Sequence, residues 1–285
     1  KDINMNNFYK ISLIGTTQGG RDKEIERLLN SIASSTYKNL EIIFIDQTDD
    51  IIIEQLFLKH AKNIKYKLVK SNKVPLSTAR NQGLKLCSGN VIGFCDDDAF
   101  YAPDFFEKVI QSNIKKETVL SVPVLDFQTM KSYANRVYPK TKKEMGYNQI
   151  IKSSLSVGTF IFTHKLDNIY FDERLGVGTL FGGSEETELF FRLKSLGFRV
   201  CFQPIFGVYH DNDLYCEGIP EKYRKYAVGY GVVIKKYLVK SRYLLLLEIF
   251  RITVKSFFGI VLKKQKKLYM YRLIGFWTGL LKYDL

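Results

Sequence analysis

No apolar run in these 285 residues approaches the about 20 that a bilayer-spanning helix requires, so a transmembrane span is not expected. Cysteine is scarce: Cys87, Cys95, Cys201 and Cys216 lie far apart with no CxxC pair, which points to reduced thiols. The first residues lack the charged-then-apolar pattern of a secretory signal, and with the thiols this gives the expectation of a cytoplasmic protein. Internal repeats and low-complexity tracts are also missing, so the chain does not read as a solenoid or a linker.

What is present suits a globular enzyme. Hydrophobic residues make up 46% of the chain, enough for one sizeable α/β core with a smaller appendage. The formal charge of +14 attracts a polyanion, which could be nucleic acid, an anionic membrane surface or a phosphorylated small molecule. Much of that charge comes late. From Lys235 onward, lysine clusters (Lys235, Lys236; Lys263, Lys264, Lys266, Lys267) alternate with short apolar blocks such as Leu244 to Leu247 and Phe257 to Leu262, the pattern of a surface-lying amphipathic tail.

The first hundred residues alternate strand-like and helix-like segments. Ile11 to Ile14 reads as a strand ending in Gly15-Thr16-Thr17, and Ile25, Leu28, Leu29 and Ile32 put one apolar stripe on a helix starting near Asp22. Glu41 to Asp46 is a buried strand, Ile51 to Ala61 helical, Ile64 to Val69 a strand, Leu76 to Leu86 helical and Val91 to Cys95 a strand. Steady alternation implies parallel strands with crossover helices, whose carboxyl ends share one edge where ligands bind. The loops on that edge hold Thr16 to Arg21, Asp46 to Asp50 and Asp96 to Asp98. Ser121 to Ser156 follows no clear pattern. Gly176 to Val208 then supplies glycines, a helix and a strand, with Phe206 to Tyr209 strand-like.

Asp96, Asp97 and Asp98 crowd three negative charges at a strand end, and a cation would relieve their repulsion. Carboxylate and diphosphate oxygens together suit Mg²⁺ or Mn²⁺; the alternative is a solvated acidic turn. Glu185, Glu186 and Glu188 open a helix after Gly182-Gly183. Acids there favour the helix dipole without chemistry, with Ser184 as N-cap, or else one of them is a general base for an acceptor hydroxyl. His210 beside Asp211 is either a hydrogen-bonded loop residue or a metal ligand.

Three blocks in order, IGTTQGGRDKEIERLLNS, PLSTARNQGLKLCSGNVIGFCDDDAF and GGSEETELFFRLKSLGFRV, closely resemble the family 2 glycosyltransferases, inverting enzymes of the GT-A fold. The likeness runs from about Lys10 to about His210. It implies that Thr16 and Arg21 belong to the first donor-binding loop, that Asp46 accepts from the nucleotide base, and that Arg80 and Asn81 approach the donor. It further implies Asp98 as the metal ligand, Asp96 and Asp97 at the ribose or the metal's water shell, Glu186 as base, and His210 where some relatives place a metal-binding histidine. Two positions depart from the pattern: Gln47 stands where the family commonly has a second acid, and Glu186 is longer than the usual aspartate, which leaves Glu185 and Glu188 as alternative bases.

The expectation is therefore a GT-A, Rossmann-like α/β domain over residues 1–220 and a helical annex over 221–285. It would transfer a sugar from a nucleotide diphosphate, with a UDP-sugar the expected donor and Mn²⁺ or Mg²⁺ as cofactor, to a saccharide or lipid-linked acceptor in cell-surface polysaccharide synthesis. The tail would dock on the anionic inner face of the cell membrane, or else pack on the domain or on a second copy. A sugar-nucleotide nucleotidyltransferase should carry a glycine-rich basic loop after the first strand, of which Gly19-Gly20-Arg21 is a faint echo. A nucleic-acid binder, suggested by +14 and 18 tyrosines, should carry its basic stripe on the core. Here the densest lysines lie in the tail, so nucleic acid is not an expected partner.

Overall fold

The computed structural model describes residues 9–112, 114–211, 220–263 and 266–283. Cys216, Lys264 and Leu285, and the side chain of Leu244, lie outside the described residues. The first strands β1 (Ile11–Thr17), β2 (Leu40–Asp46), β3 (Lys65–Lys70) and β4 (Val91–Asp96) run parallel, joined by α1 (Asp22–Ala33), α2 (Ile52–His60) and α3 (Leu76–Leu84). The crossovers expected from the alternation are all present. β2 is buried along its whole length, as a strand covered on both faces must be, and α1 buries Ile25, Leu28, Leu29 and Ile32, the stripe read from spacing.

After β4 come β5 (Ala99–Tyr101), α4 (Phe105–Gln111), β6 (Thr118–Ser121), β7 (Val124–Asp126), β8 (Lys143–Glu144), α5 (Tyr147–Ser153), β9 (Thr159–Phe162), α6 (Glu185–Ser195), β10 (Arg199–Phe202) and β11 (Val208–His210). The large, mostly parallel sheet has the order β3-β2-β1-β4-β9-β6-β10-β8. The connection from β1 goes to one side and β4 returns on the other, so a crevice opens at the carboxyl ends of these two strands. In that register Thr16 lies opposite Asp96. A small sheet, β5-β11-β7, is the second device that builds the site: β11 pairs antiparallel with β5 so that His210 lies opposite Ala99, beside the aspartates.

Ser121 to Ser156, patternless in sequence, folds into short pieces. Among them is a tight turn at Tyr133–Asn135, where Ala134 and Asn135 take left-handed backbone at φ 51° and 53°. Ser184 stands at the start of α6 but does not cap it: its backbone is left-handed (φ 71°) and its hydroxyl makes no capping hydrogen bond.

Beyond residue 219 lie α7 (Pro220–Tyr237), α8 (Arg242–Leu262) and α9 (Lys266–Lys282). Glycines let α7 and α9 approach backbone to backbone. A Cβ on Gly231 would sit 2.2 Å from the Phe276 carbonyl oxygen, and one on Gly279 would sit 2.1 Å from that of Val228. Val232, Val233 and Ile234 of α7, Ile252 of α8 and Phe276 of α9 share a core with Phe190 and Phe191 of α6. The apolar blocks of the tail thus divide. One part is buried against α6, while Tyr243, Leu246, Leu247, Phe250, Phe257, Phe258 and Val261 remain exposed on α8. Among the described residues no helix is long and apolar enough to cross a membrane.

Candidate active site

The carboxyl ends of β1 and β4 open into a cleft of about 1390 Å³. Thr16, Thr17, Gln18, Gly19 and Arg21 form one wall, Asp96 to Asp98 the floor, and Tyr133 to Val137 an overhang. An adjoining recess of about 470 Å³ holds Arg80, Glu185 and Glu186. Strand ends and a helix start therefore meet around one space, as the order of elements demands.

The three aspartates have different surroundings. Asp96 accepts from Arg80 Nη2 at 2.9 Å and from His210 Nε2 at 3.2 Å. Burial would raise its carboxyl, but these two cations outweigh burial and hold it well below the usual carboxylate range. Asp97 accepts from Thr17 Oγ1 at 2.7 Å, with Arg21 Nε 3.6 Å away. Burial first, then the charges of Asp98 and Asp96, push it up to about 6. Asp98 is nearly buried and is held by Arg21 Nη1 and by His210 Nε2 at 3.0 Å.

His210 donates from Nδ1 to the Asp211 carbonyl at 2.8 Å and stacks on Tyr133 with 4.1 Å between ring centroids. Burial alone would lower it; the hydrogen bonds and charges of Asp96 and Asp98 overcome burial and raise it to about 10. An imidazolium with Arg21 thus offsets the repulsion of the triplet. Among the described residues no three acidic, histidine or cysteine side chains stand ready-spaced around a metal ion. Yet Asp96 Oδ2 and Asp98 Oδ1 both converge on His210 Nε2 within 3.2 Å, a carboxylate and imidazole set whose chemistry suits Mn²⁺.

Arg80 links this group to the acidic helix. Only 2% exposed, it contacts Asp96 with Nη2, donates to Ser156 Oγ at 2.9 Å, and brings Nη1 to 3.7 Å from Glu185 Oε1. Glu185 is buried, and burial together with the neighbouring Glu186 charge raises its carboxyl, against the pull of Arg80. Glu186 faces the recess: Ser156 donates to Oε1 from its backbone N–H at 3.0 Å and its hydroxyl at 2.9 Å, while Oε2 lies 4.0 Å from Arg136 Nη2.

Three residues expected at the site do not line either space. Asp46 is fully buried, accepting from Thr48 at 2.9 Å and 2.7 Å and paired with Lys70 at 2.8 Å; its neighbour Gln47 reaches the cleft instead. Asn81 does not approach the donor space, because its side-chain amide makes a paired hydrogen bond with the Phe171 backbone at 2.7 Å and 2.9 Å. Glu188 lies on the buried side of α6, where Lys236, the Tyr237 hydroxyl and Arg192 hold it at 2.9, 2.9 and 3.3 Å. That is an anchor for α7, not a base.

Other residues escaped the sequence reading. Ser156 and Arg136, which grip Glu186, sit within or at the end of the patternless stretch. Arg251, Lys255 and Arg272 line the cleft from α8 and α9, in a region that reads from sequence only as a basic, apolar tail. Their signal was the interruption of apolar blocks by single cations.

A family model described as glycosyl transferase family 2 matches residues 19–167, more than half of the chain. Among relatives, the minor teichoic acid biosynthesis protein GgaB of Bacillus subtilis (strain 168) is 29% identical over 166 residues, 54% of this chain and 18% of that protein. The uncharacterized glycosyltransferase YwdF of the same organism is 24% identical over 168 residues, 59% of this chain and 61% of that protein. The matches span only 14%, 18% and 16% of the length of three of the relatives. Among solved structures, S. aureus TarS 1–349 in complex with UDP-GlcNAc superposes with a TM-score of 0.66 at 18% identity, covering 95% of this chain and 81% of that one. The mannosyltransferase PcManGT of Pyrobaculum calidifontis, in complex with GDP-Man and Mn²⁺, gives 0.63 at 14% identity over 96% and 87%. The acidic triplet at the strand-end cleft falls within a family match that covers more than half of the chain, and the chain belongs to glycosyl transferase family 2.

Proposed function

We propose that the protein transfers a sugar, with inversion, from a UDP-sugar to a saccharide or lipid-linked acceptor in the synthesis of a cell-surface polysaccharide. The observation that carries this reading is that the cleft of the Thr16–Arg21 loop and the aspartate triplet adjoins the Glu186 recess, the two sharing Asp96, Tyr133 and Arg136 in their walls. Uridine as the base is supported by the fold neighbour that binds UDP-GlcNAc, and a polysaccharide product by the name of GgaB.

In this mechanism the nucleotide diphosphate lies across Thr16 to Arg21, and Arg21 and Arg80 stand beside the aspartates that face it. Asp98, with Asp96 beside it and His210 after its Nε2 proton is displaced, would hold Mn²⁺ or Mg²⁺, which supplies positive charge against the departing diphosphate. Glu186, anchored through Oε1 by Ser156, keeps Oε2 for the proton of the acceptor hydroxyl. That hydroxyl oxygen bonds to the anomeric carbon on the face opposite the diphosphate. The carbon–diphosphate bond breaks as it does so, and configuration inverts.

For localisation, the reading is a cytoplasmic protein peripherally attached to the inner face of the membrane through α8, supported by its exposed apolar face and the neighbouring lysines. The decisive experiment is a screen of nucleotide sugars for turnover, with manganese and with chelator, on the parent and on Asp98→Asn. Turnover of a UDP-sugar that needs the divalent ion and disappears in Asp98→Asn is expected; full activity of Asp98→Asn in chelator overturns the metal part.

A further inference from the structure

One wall of the cleft is basic, and it is made by helices outside the matched family segment. Arg251 and Lys255 stand one turn apart on α8, and Arg272 faces the same space from α9. Glu248, buried, binds Arg251 and accepts from the Tyr230 hydroxyl at 2.6 Å, so it fixes Arg251 in place. Among the described residues neither Lys255 nor Arg272 has a carboxylate within ion-pair distance. The other acids of the two spaces are already engaged: Asp96 with Arg80 and His210, Asp97 with Thr17, Asp98 with Arg21 and His210, Glu185 with Arg80, and Glu186 with Ser156 and Arg136. Three cations against one carboxylate leave a net positive charge. The cations also oppose one another, since burial and the Arg272 and Arg251 charges lower Lys255, and burial and Arg251 lower Arg272. An arrangement that holds like charges together at a cavity wall is one that an anion completes.

A second observation says what bears the anion. On α8, Leu247 precedes Arg251 by four residues and Phe258 follows it by seven, so the cations border the exposed face of Leu246, Leu247, Phe250 and Phe258. A ligand crossing that border goes from apolar surface to cation to catalytic recess. We propose that Arg251, Lys255 and Arg272 form a subsite for the diphosphate of a lipid-linked acceptor, whose chain runs onto the apolar face of α8 and whose sugar hydroxyl reaches Glu186. This rests on the transferase reading of the recess.

The test titrates the full chain by calorimetry with farnesyl diphosphate, with inorganic pyrophosphate and with UDP, the first two with UDP saturating the donor side. Farnesyl diphosphate should bind the parent more tightly than pyrophosphate does. It should lose about tenfold or more in the variant carrying Lys255→Gln and Arg272→Gln, the loss that follows removal of charge-assisted hydrogen bonds. Arg272→Lys, which keeps the charge, should lose less, and retained UDP affinity in each variant shows that it is folded. Equal affinity of parent and double variant for farnesyl diphosphate, or no binding by the parent, overturns the subsite. Pyrophosphate binding as tightly as farnesyl diphosphate overturns the lipid as the source of the phosphate. If UDP fails to bind the parent, the donor reading falls instead, and the farnesyl diphosphate titration without UDP still decides the subsite.

Discussion

Glu185 and Glu186 are adjacent in sequence and differ in what holds them. Glu185 is buried and turned toward Arg80, whereas Glu186 is fastened through Oε1 by Ser156 and has only Arg136, 4.0 Å away, beside Oε2. Glu186→Gln should therefore slow the chemical step by about a hundredfold or more while leaving the affinity for UDP nearly unchanged, as single-turnover rates and calorimetry would show. A crippled Glu185→Gln beside a nearly normal Glu186→Gln would move the base by one residue. Away from the cleft, Glu41 offers a pH-dependent test of folding. Burial would raise its carboxyl, but Lys10, Ser12 and Ser88 donate to it and lower it from 4.5 to about 2. A depressed carboxyl stabilises the fold fully above the unfolded value, and that contribution is lost as pH falls through the folded one. Glu41→Gln should cost about 1–2 kcal/mol at neutral pH, and denaturant melts of variant and parent should converge as the pH drops from 4.5 toward 2.

Between α7 and α9 the contact is made by absence of side chain. Gly279→Leu would drive a side chain into the Val228 carbonyl and should destabilise the protein by about 1–3 kcal/mol in thermal or denaturant melts. Gly146→Ala, with nothing within 4 Å of the added carbon, should be nearly silent. Elements of this kind also mark the limit of what could be read from sequence. The helices and strands up to β4 were legible because their apolar spacing is set by local geometry, and so was the edge on which Asp96 to Asp98 stand. The placement of His210 was legible only through the resemblance and not from spacing, since it depends on β11 pairing with β5, a contact between segments far apart in the chain. The inward turn of Glu188 was not legible, since only the packing of α7 reveals it. Asp46 and Asn81 matched a motif, yet full burial beside Lys70 and a paired bond to Phe171 keep them from lining the cleft.

For the molecule as a whole, the question is where the excess positive charge meets its counterpart. If the membrane is that counterpart, the parent should float with anionic liposomes, weakly with neutral ones, and less as salt rises. Leu247→Asp with Phe250→Asp should abolish flotation without unfolding the protein, because both side chains are exposed. Equal, negligible flotation of parent and variant would leave the α8 face as a contact between copies. Truncation at Lys236 is a poorer test, since it would uncover the face of α7 that α9 covers.

Because α8 contributes both the apolar exterior and part of the cleft wall, a membrane bound at that exterior would lie beside the cleft. On the proposed membrane reading, the enzyme would meet a lipid-linked acceptor in two dimensions. Its velocity should follow the mole fraction of acceptor in the lipid surface, and adding inert lipid at constant acceptor should slow it, although nothing in the bulk solution has changed.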